Sequence, residues 1–146
     1  MTVSKGYVLI VDDDRSIREA LRLALEDEGY TVEEARDGIE AIEAMRQSTH
    51  QQVVLLDYRM PRMDGAGVIA TALHDDHMFT YNAFMLITAN LPSLPPTFVS
   101  LLDRLHVRII SKPFDMDDLL ENVAITVRSL IPDDPSSSST MLNIPH

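Results

Sequence analysis

The sequence predicts an α/β domain in which a strand followed by a helix repeats five times, a (βα)5 doubly wound parallel sheet. Three observations predict it. Nearly unbroken apolar runs recur along the chain: YVLIV at Tyr7–Val11, VVLL at Val53–Leu56, AFMLIT at Ala83–Thr88 and VRII at Val107–Ile110. Runs without polar alternation suit parallel strands covered on both faces. Between them lie segments whose apolar residues fall at helical spacing, and this alternation implies a parallel sheet with helices on both sides. The 146 residues, 45% of them apolar, fit one domain with one core.

The elements follow in order. Tyr7–Val11 is the first strand and ends at Asp12, Asp13 and Asp14. Asp14 is a helix N-cap and Gly29 a C-cap around Arg15–Glu28, where Ile17, Leu21, Ala24 and Leu25 share a face. Tyr30–Glu34 alternates and reads as a shorter strand. Asp37-Gly38 turns the chain into a helix marked by Ile39, Ile42 and Met45 that runs to about Arg46. Val53–Leu56 is the third strand and delivers Asp57. A loop through Met60-Pro61 and Asp64-Gly65 leads to a helix carrying Val68, Ile69, Ala72 and Leu73. His74–Asn82 reads as polar and irregular, before the fourth strand at Ala83–Thr88. Pro92, Pro95 and Pro96 forbid helix interior, so the next helix starts around Pro96, where proline is welcome at the first helical position. Val107–Ile110 is the fifth strand, and Asp115–Leu130 the last helix. The domain is expected over 5–131. The Pro- and Ser-rich stretch 132–146 is expected to be a flexible tail or a linker to an output domain.

Composition narrows the function classes. A net charge of −11 and a pI of about 4.6 disfavour direct binding to nucleic acid or to anionic membrane. The absence of cysteine excludes disulfides, thiolate nucleophiles and cysteine-based zinc sites. The apolar run near the N-terminus is too short for a signal peptide or a membrane span, and a cytoplasmic protein is expected.

In an open parallel sheet, ligands bind outside the carboxyl ends of the strands. The first strand delivers Asp12 and Asp13 there, the third Asp57, the fourth Thr88 and the fifth Lys112. Singly, each has an ordinary role as a turn former, a strand end or a solvated charge. Together they place three carboxylates, a hydroxyl and an ammonium on one rim. At ~5 Å and an effective dielectric of ~20, each carboxylate pair repels by about 3 kcal/mol. That repulsion alone would raise a carboxylate pKa by roughly two units. A hard divalent cation compensates; a small oxygen-donor set suits Mg2+, with Mn2+ as a substitute, better than Ca2+ or zinc. Such a site suits phosphoryl transfer, and Asp57 is the candidate carboxylate nucleophile.

The motifs VLIVDDD, LLDYRMPRMDG, LITAN and IISKPF, spanning about Lys5 to Leu130, resemble the receiver domains of bacterial two-component response regulators. The resemblance implies a flavodoxin-like sheet of order 2-1-3-4-5. It also implies a phosphorylation switch rather than a turnover enzyme, with Asp57 accepting a phosphoryl group from a histidine kinase or histidine phosphotransfer protein. By position it gives metal ligation to Asp13 directly, Asp12 mainly through water, Asp57, and the backbone carbonyl of Arg59. Thr88 and Lys112 would contact the phosphoryl oxygens, and Lys112-Pro113 would be a cis peptide. An output domain, a partner protein or a second copy would read the switch.

The chain departs from the family pattern in three places. Ile109 stands where an aromatic residue is usual. Pro92, Pro95 and Pro96 alter the start of the helix after the fourth strand. Arg59 and Asn90 occupy the positions that flank the phosphoryl group. Two other readings stand beside the switch. One is a phosphohydrolase of the haloacid-dehalogenase kind, using Asp12 and Asp14 as its paired aspartates. The other is a docking or dimerisation module in which phosphorylation is silent.

Overall fold

Residues alternate in direction along a strand, so a strand covered on both faces must be apolar at every position. That holds within β1 (Tyr7–Val11) and β3 (Gln52–Asp57), whose apolar Val8–Val11 and Val53–Leu56 are all buried, while the polar Gln52 and Asp57 are buried at the ends of β3. With β2 (Thr31–Ala35), β4 (Asn82–Thr88) and β5 (Arg108–Ser111) they form one five-stranded sheet in the order β2-β1-β3-β4-β5. Every pairing is parallel, as the resemblance implied. This computed structural model describes residues 3–130, so the stretch 132–146 read as a tail or linker lies outside the described residues.

The helices divide between the two faces. Leu21 and Leu25 of α1 (Arg15–Asp27) and Leu119, Val123 and Val127 of α6 (Met116–Leu130) pack on Val8, Ile10, Val53, Leu55, Met85 and Ile87. On the other face, Leu9, Val11, Val54, Leu56 and Leu86 meet α2 (Gly38–Gln47), α3 (Gly65–Leu73), α4 (Asp76–Tyr81) and α5 (Pro96–Arg104). The helix starts follow from aspartates. Asp14 accepts from the N–H groups of Ser16 and Ile17, Asp37 from Glu40 and Asp64 from Gly67, each satisfying a donor that has no partner within the helix. Gly29, at φ +103°, takes the left-handed position after α1 that glycine adopts most readily.

One expectation is corrected. The segment His74–Asn82, read as irregular, contains the short helix α4, so among the described residues six helices accompany the five strands. Asp75 caps it by accepting from Met78 N–H, and Met78 is wholly buried while Phe79 is exposed. One inward side chain and one cap sufficed, too little for a periodicity reading. The prolines act as expected: a single 3-10 turn at Leu91–Ser93 and the buried Leu94 precede α5, which starts at Pro96.

The connection from β1 runs through α1 to β2 on one side, and β3 then returns to β1's other side. The strand order therefore reverses between β1 and β3, which opens a crevice at their carboxyl ends. Asp12 follows one of these strands and Asp57 ends the other.

Candidate functional site

Asp12, Asp13 and Asp57 converge at this crevice, and each offers one carboxylate oxygen within 4.8 Å of the others. Lys112 Nζ donates to Asp57 Oδ1 at 3.0 Å and to Asp12 Oδ2 at 3.3 Å. Asp12 is held further, because its Oδ1 accepts from Asp14 N–H at 2.8 Å and its backbone carbonyl accepts from Arg18 at 2.8 Å. Asp12 and Asp57 are buried and Asp13 is exposed. The Asp14 carboxylate is taken up as the N-cap of α1, accepting from Ser16 and Ile17 N–H, so the second aspartate of a dehalogenase-like pair is engaged at the helix start.

Burial is the largest influence on Asp57: it raises the carboxyl's pKa, and the Asp12 charge raises it further. The Lys112 ammonium pulls the other way, and the net value is about 6. A raised carboxylate was expected from the sequence through repulsion, which is here a smaller cause than burial. Burial pulls the Lys112 ammonium down, yet its hydrogen bond to Asp57 and the Asp12 charge outweigh that, and its pKa lies above the usual value. Three carboxylates with oxygens this close, that of Asp13 facing water, fit a hard divalent cation.

Thr88 is buried at the end of β4, on the same edge, and its Oγ1 accepts from Asn90 N–H at 3.2 Å. Its carbonyl accepts from Lys112 N–H at 2.8 Å, which ties the ends of β4 and β5 together. Lys112-Pro113 is a cis peptide. Ile109 is half-buried against the α2–α5 face, an aliphatic side chain at the position where the resemblance expects an aromatic one. Arg59 is exposed and lines, with Asp13, Tyr58, Met60, Pro61 and Asp64, a shallow depression beside the carboxylates.

Sequence reasoning did not single out what surrounds Asp57. Gly65 lies so close that a Cβ there would sit 3.1 Å from Leu86 Cδ1 and from Tyr58 Cα, and 3.3 Å from the Asp57 carbonyl. The Tyr58 ring packs on Phe98 of α5 with centroids 5.7 Å apart. Asp37, read only as a turn former, is buried and ion-paired with Arg62. An Asp-Gly pair after a strand was the available signal, and it does not reveal a partner distant in sequence.

Comparison with known proteins agrees with this geometry. The family model "Response regulator receiver domain" matches residues 8–124. The chain is 35% identical over 136 residues, 92% of its length, to "Response regulator MprA" of Mycobacterium leprae and of Mycobacterium tuberculosis. It spans 56% of the length of those relatives. Among solved structures, a CheY-like receiver domain protein from Methanospirillum hungatei superposes with a TM-score of 0.75 at 33% identity, covering 86% of this chain and 97% of that one. The chemotaxis protein CheY4 of Vibrio cholerae gives 0.70 at 26% identity, over 83% and 98%. The chain belongs to the response regulator receiver domain family of two-component signalling. No helix among the described residues is long and apolar enough to cross a membrane.

Proposed function

We propose that this receiver domain is a Mg2+-dependent phosphorylation switch whose acceptor is Asp57. The observation that carries the reading is a buried carboxylate at a sheet's switch point, hydrogen-bonded to Lys112 and flanked by two further carboxylates. The donor would be the phosphohistidine of a histidine kinase or a phosphotransfer protein. An Asp57 carboxylate oxygen attacks phosphorus, the P–N bond to the imidazole breaks with its electron pair returning to nitrogen, and an acyl phosphate forms.

The chain's own groups have separable parts in this. Lys112 neutralises charge on the phosphoryl oxygens from its place 3.0 Å from Asp57 Oδ1. Thr88 Oγ1 accepts from Asn90 N–H, which leaves its own proton for a phosphoryl oxygen. Asp12, Asp13, Asp57 and the carbonyl of Arg59 would hold the cation, which would supply positive charge against the phosphoryl oxygens and relieve the carboxylates' repulsion. Water attack on phosphorus breaks the P–O bond to Asp57, releases inorganic phosphate and restores the carboxylate, so the domain resets itself instead of turning over a substrate. The state is read by a partner protein, an output domain or a second copy at the face formed by β4, α5, β5 and α6, in the cytoplasm.

A second reading, a docking module with silent phosphorylation, draws on Ile109 and the proline-rich start of α5. Chemical lability separates the two. After exposure to acetyl phosphate and Mg2+, an acyl phosphate is cleaved by hydroxylamine whereas a serine or threonine ester survives. A hydroxylamine-labile label supports the switch; an unlabelled or hydroxylamine-stable protein supports the docking module.

A further inference from the structure

We propose that Asp37 and Arg62 are positioning residues for cation binding: they form a clamp that holds the loop 58–64 against the start of α2. This rests on the reading of Asp57, Asp13 and the Arg59 carbonyl as the cation's ligands, and it adds two residues outside that set. The loop joins β3 to α3 and lines the depression beside Asp13. Its ends are pinned to the fold, because Tyr58 N–H donates to the Ile87 carbonyl at 2.9 Å and Gly65 N–H donates to the Tyr58 carbonyl at 2.8 Å. Between the pins, Arg62 adopts φ +69°, a left-handed backbone that disfavours residues other than glycine, asparagine and aspartate.

The α2 start holds that bend. Asp37's side chain is 4% exposed and Arg62's is 67% exposed, so a buried carboxylate reaches a guanidinium brought to it by the loop. The two Asp37 oxygens divide the work: Oδ1 accepts from Glu40 N–H at 2.9 Å and caps α2, while Oδ2 takes Arg62 Nη2. At Gly38 the loop and the helix touch without any intervening side chain. A Cβ there would lie 2.8 Å from the Met63 carbonyl oxygen and 3.0 Å from Met63 Cβ. With both ends pinned, releasing residues 62–63 lets the loop relax where Arg59 lies, so the clamp acts on the ligand geometry through the backbone.

The test is calorimetric Mg2+ titration of the full chain as wild type, Arg62→Asn, Arg62→Lys and Asp37→Asn. Asparagine at 62 tolerates the left-handed backbone and asparagine at 37 still caps α2, so both variants remove the charge pair with little else disturbed. Because the pair is partly exposed, roughly three- to fivefold weaker Mg2+ binding is expected in Arg62→Asn and Asp37→Asn. Arg62→Lys should recover most of it, and Asp57 labelling by acetyl phosphate should return at high Mg2+. The double variant should be no weaker than either single one. Unchanged Mg2+ affinity in folded variants, whatever their unfolding midpoints, would overturn the clamp while leaving Asp57's role intact, and so would equal weakening in Arg62→Lys. A wild-type chain that binds no Mg2+ would overturn the cation site and the clamp with it.

Discussion

Asp57→Asn should stabilise the metal-free protein at neutral pH. In the folded chain the Asp57 carboxyl has a pKa of about 6, against an ordinary value of 3.8, with burial the main cause. At about 1.4 kcal/mol per pKa unit, holding that carboxyl ionised works against the fold by up to about 3 kcal/mol. The carboxyl binds its proton more tightly folded than unfolded, so stability falls as pH rises from about 4 to about 6 and is flat beyond. Asparagine has nearly the same shape and no charge to bury. In EDTA, urea unfolding at pH 7.5 should therefore place the variant about 2–3 kcal/mol above wild type, and the gap should close by pH 4. Adding Mg2+ should narrow the gap at pH 7.5, because a ligand that binds the folded state stabilises wild type more. Equal stability of the two proteins at pH 7.5, or a gap that persists unchanged at pH 4, would show that the ionised Asp57 carboxylate does not oppose folding.

Three further outcomes follow from the same geometry. Lys112→Ala removes the hydrogen bond and charge that lower the Asp57 pKa, so that pKa should rise above about 6 in a carbon-13 carboxyl titration by NMR; a fall would contradict the ion pair. Glu34 accepts from Arg18 at 3.0 Å and from Arg22 at 2.5 Å, and the Arg22 hydrogen bond is the main cause that lowers its pKa below the usual 4.5. Its contribution is present above that value and lost as pH falls through the folded pKa. Glu34→Gln should thus cost about 1 kcal/mol at pH 7 and progressively less as pH falls below 4.5, as read by denaturant midpoints. Gly65→Ala forces a Cβ against Leu86, Tyr58 and the Asp57 carbonyl. It should cost about 1–3 kcal/mol and slow phosphorylation of Asp57, as read by unfolding and by the rate of label uptake.

The fold was legible where packing leaves one choice. Val8–Val11 and Val53–Leu56 are buried on both faces, so their composition announces them as central strands. The aspartate caps at 14, 37, 64 and 75 sit where chain direction changes, and three of these turns were read from sequence. The helix α4 was missed because six residues give one buried methionine and no period. At the site, Asp12, Asp13, Asp57 and Lys112 were placed together because parallel topology sends every strand end to one edge, and the structure brings their side chains into contact range. Thr88 shares the edge, but its hydroxyl engages Asn90 N–H. What stayed hidden depends on distances across the chain: the Asp37–Arg62 pair spans 25 positions, and the closeness of Gly65 to Asp57 is set by how α3 packs on β4.

The proposed switch requires that Asp57 accept a phosphoryl group with the help of a cation held beside it. Intact-protein mass spectrometry after incubation with acetyl phosphate tests it most directly, with Mg2+ or with EDTA, on wild type and Asp57→Asn. A gain of about 80 Da, one phosphoryl group, is expected only for wild type with Mg2+. The same gain in Asp57→Asn, or its persistence in EDTA, would contradict it.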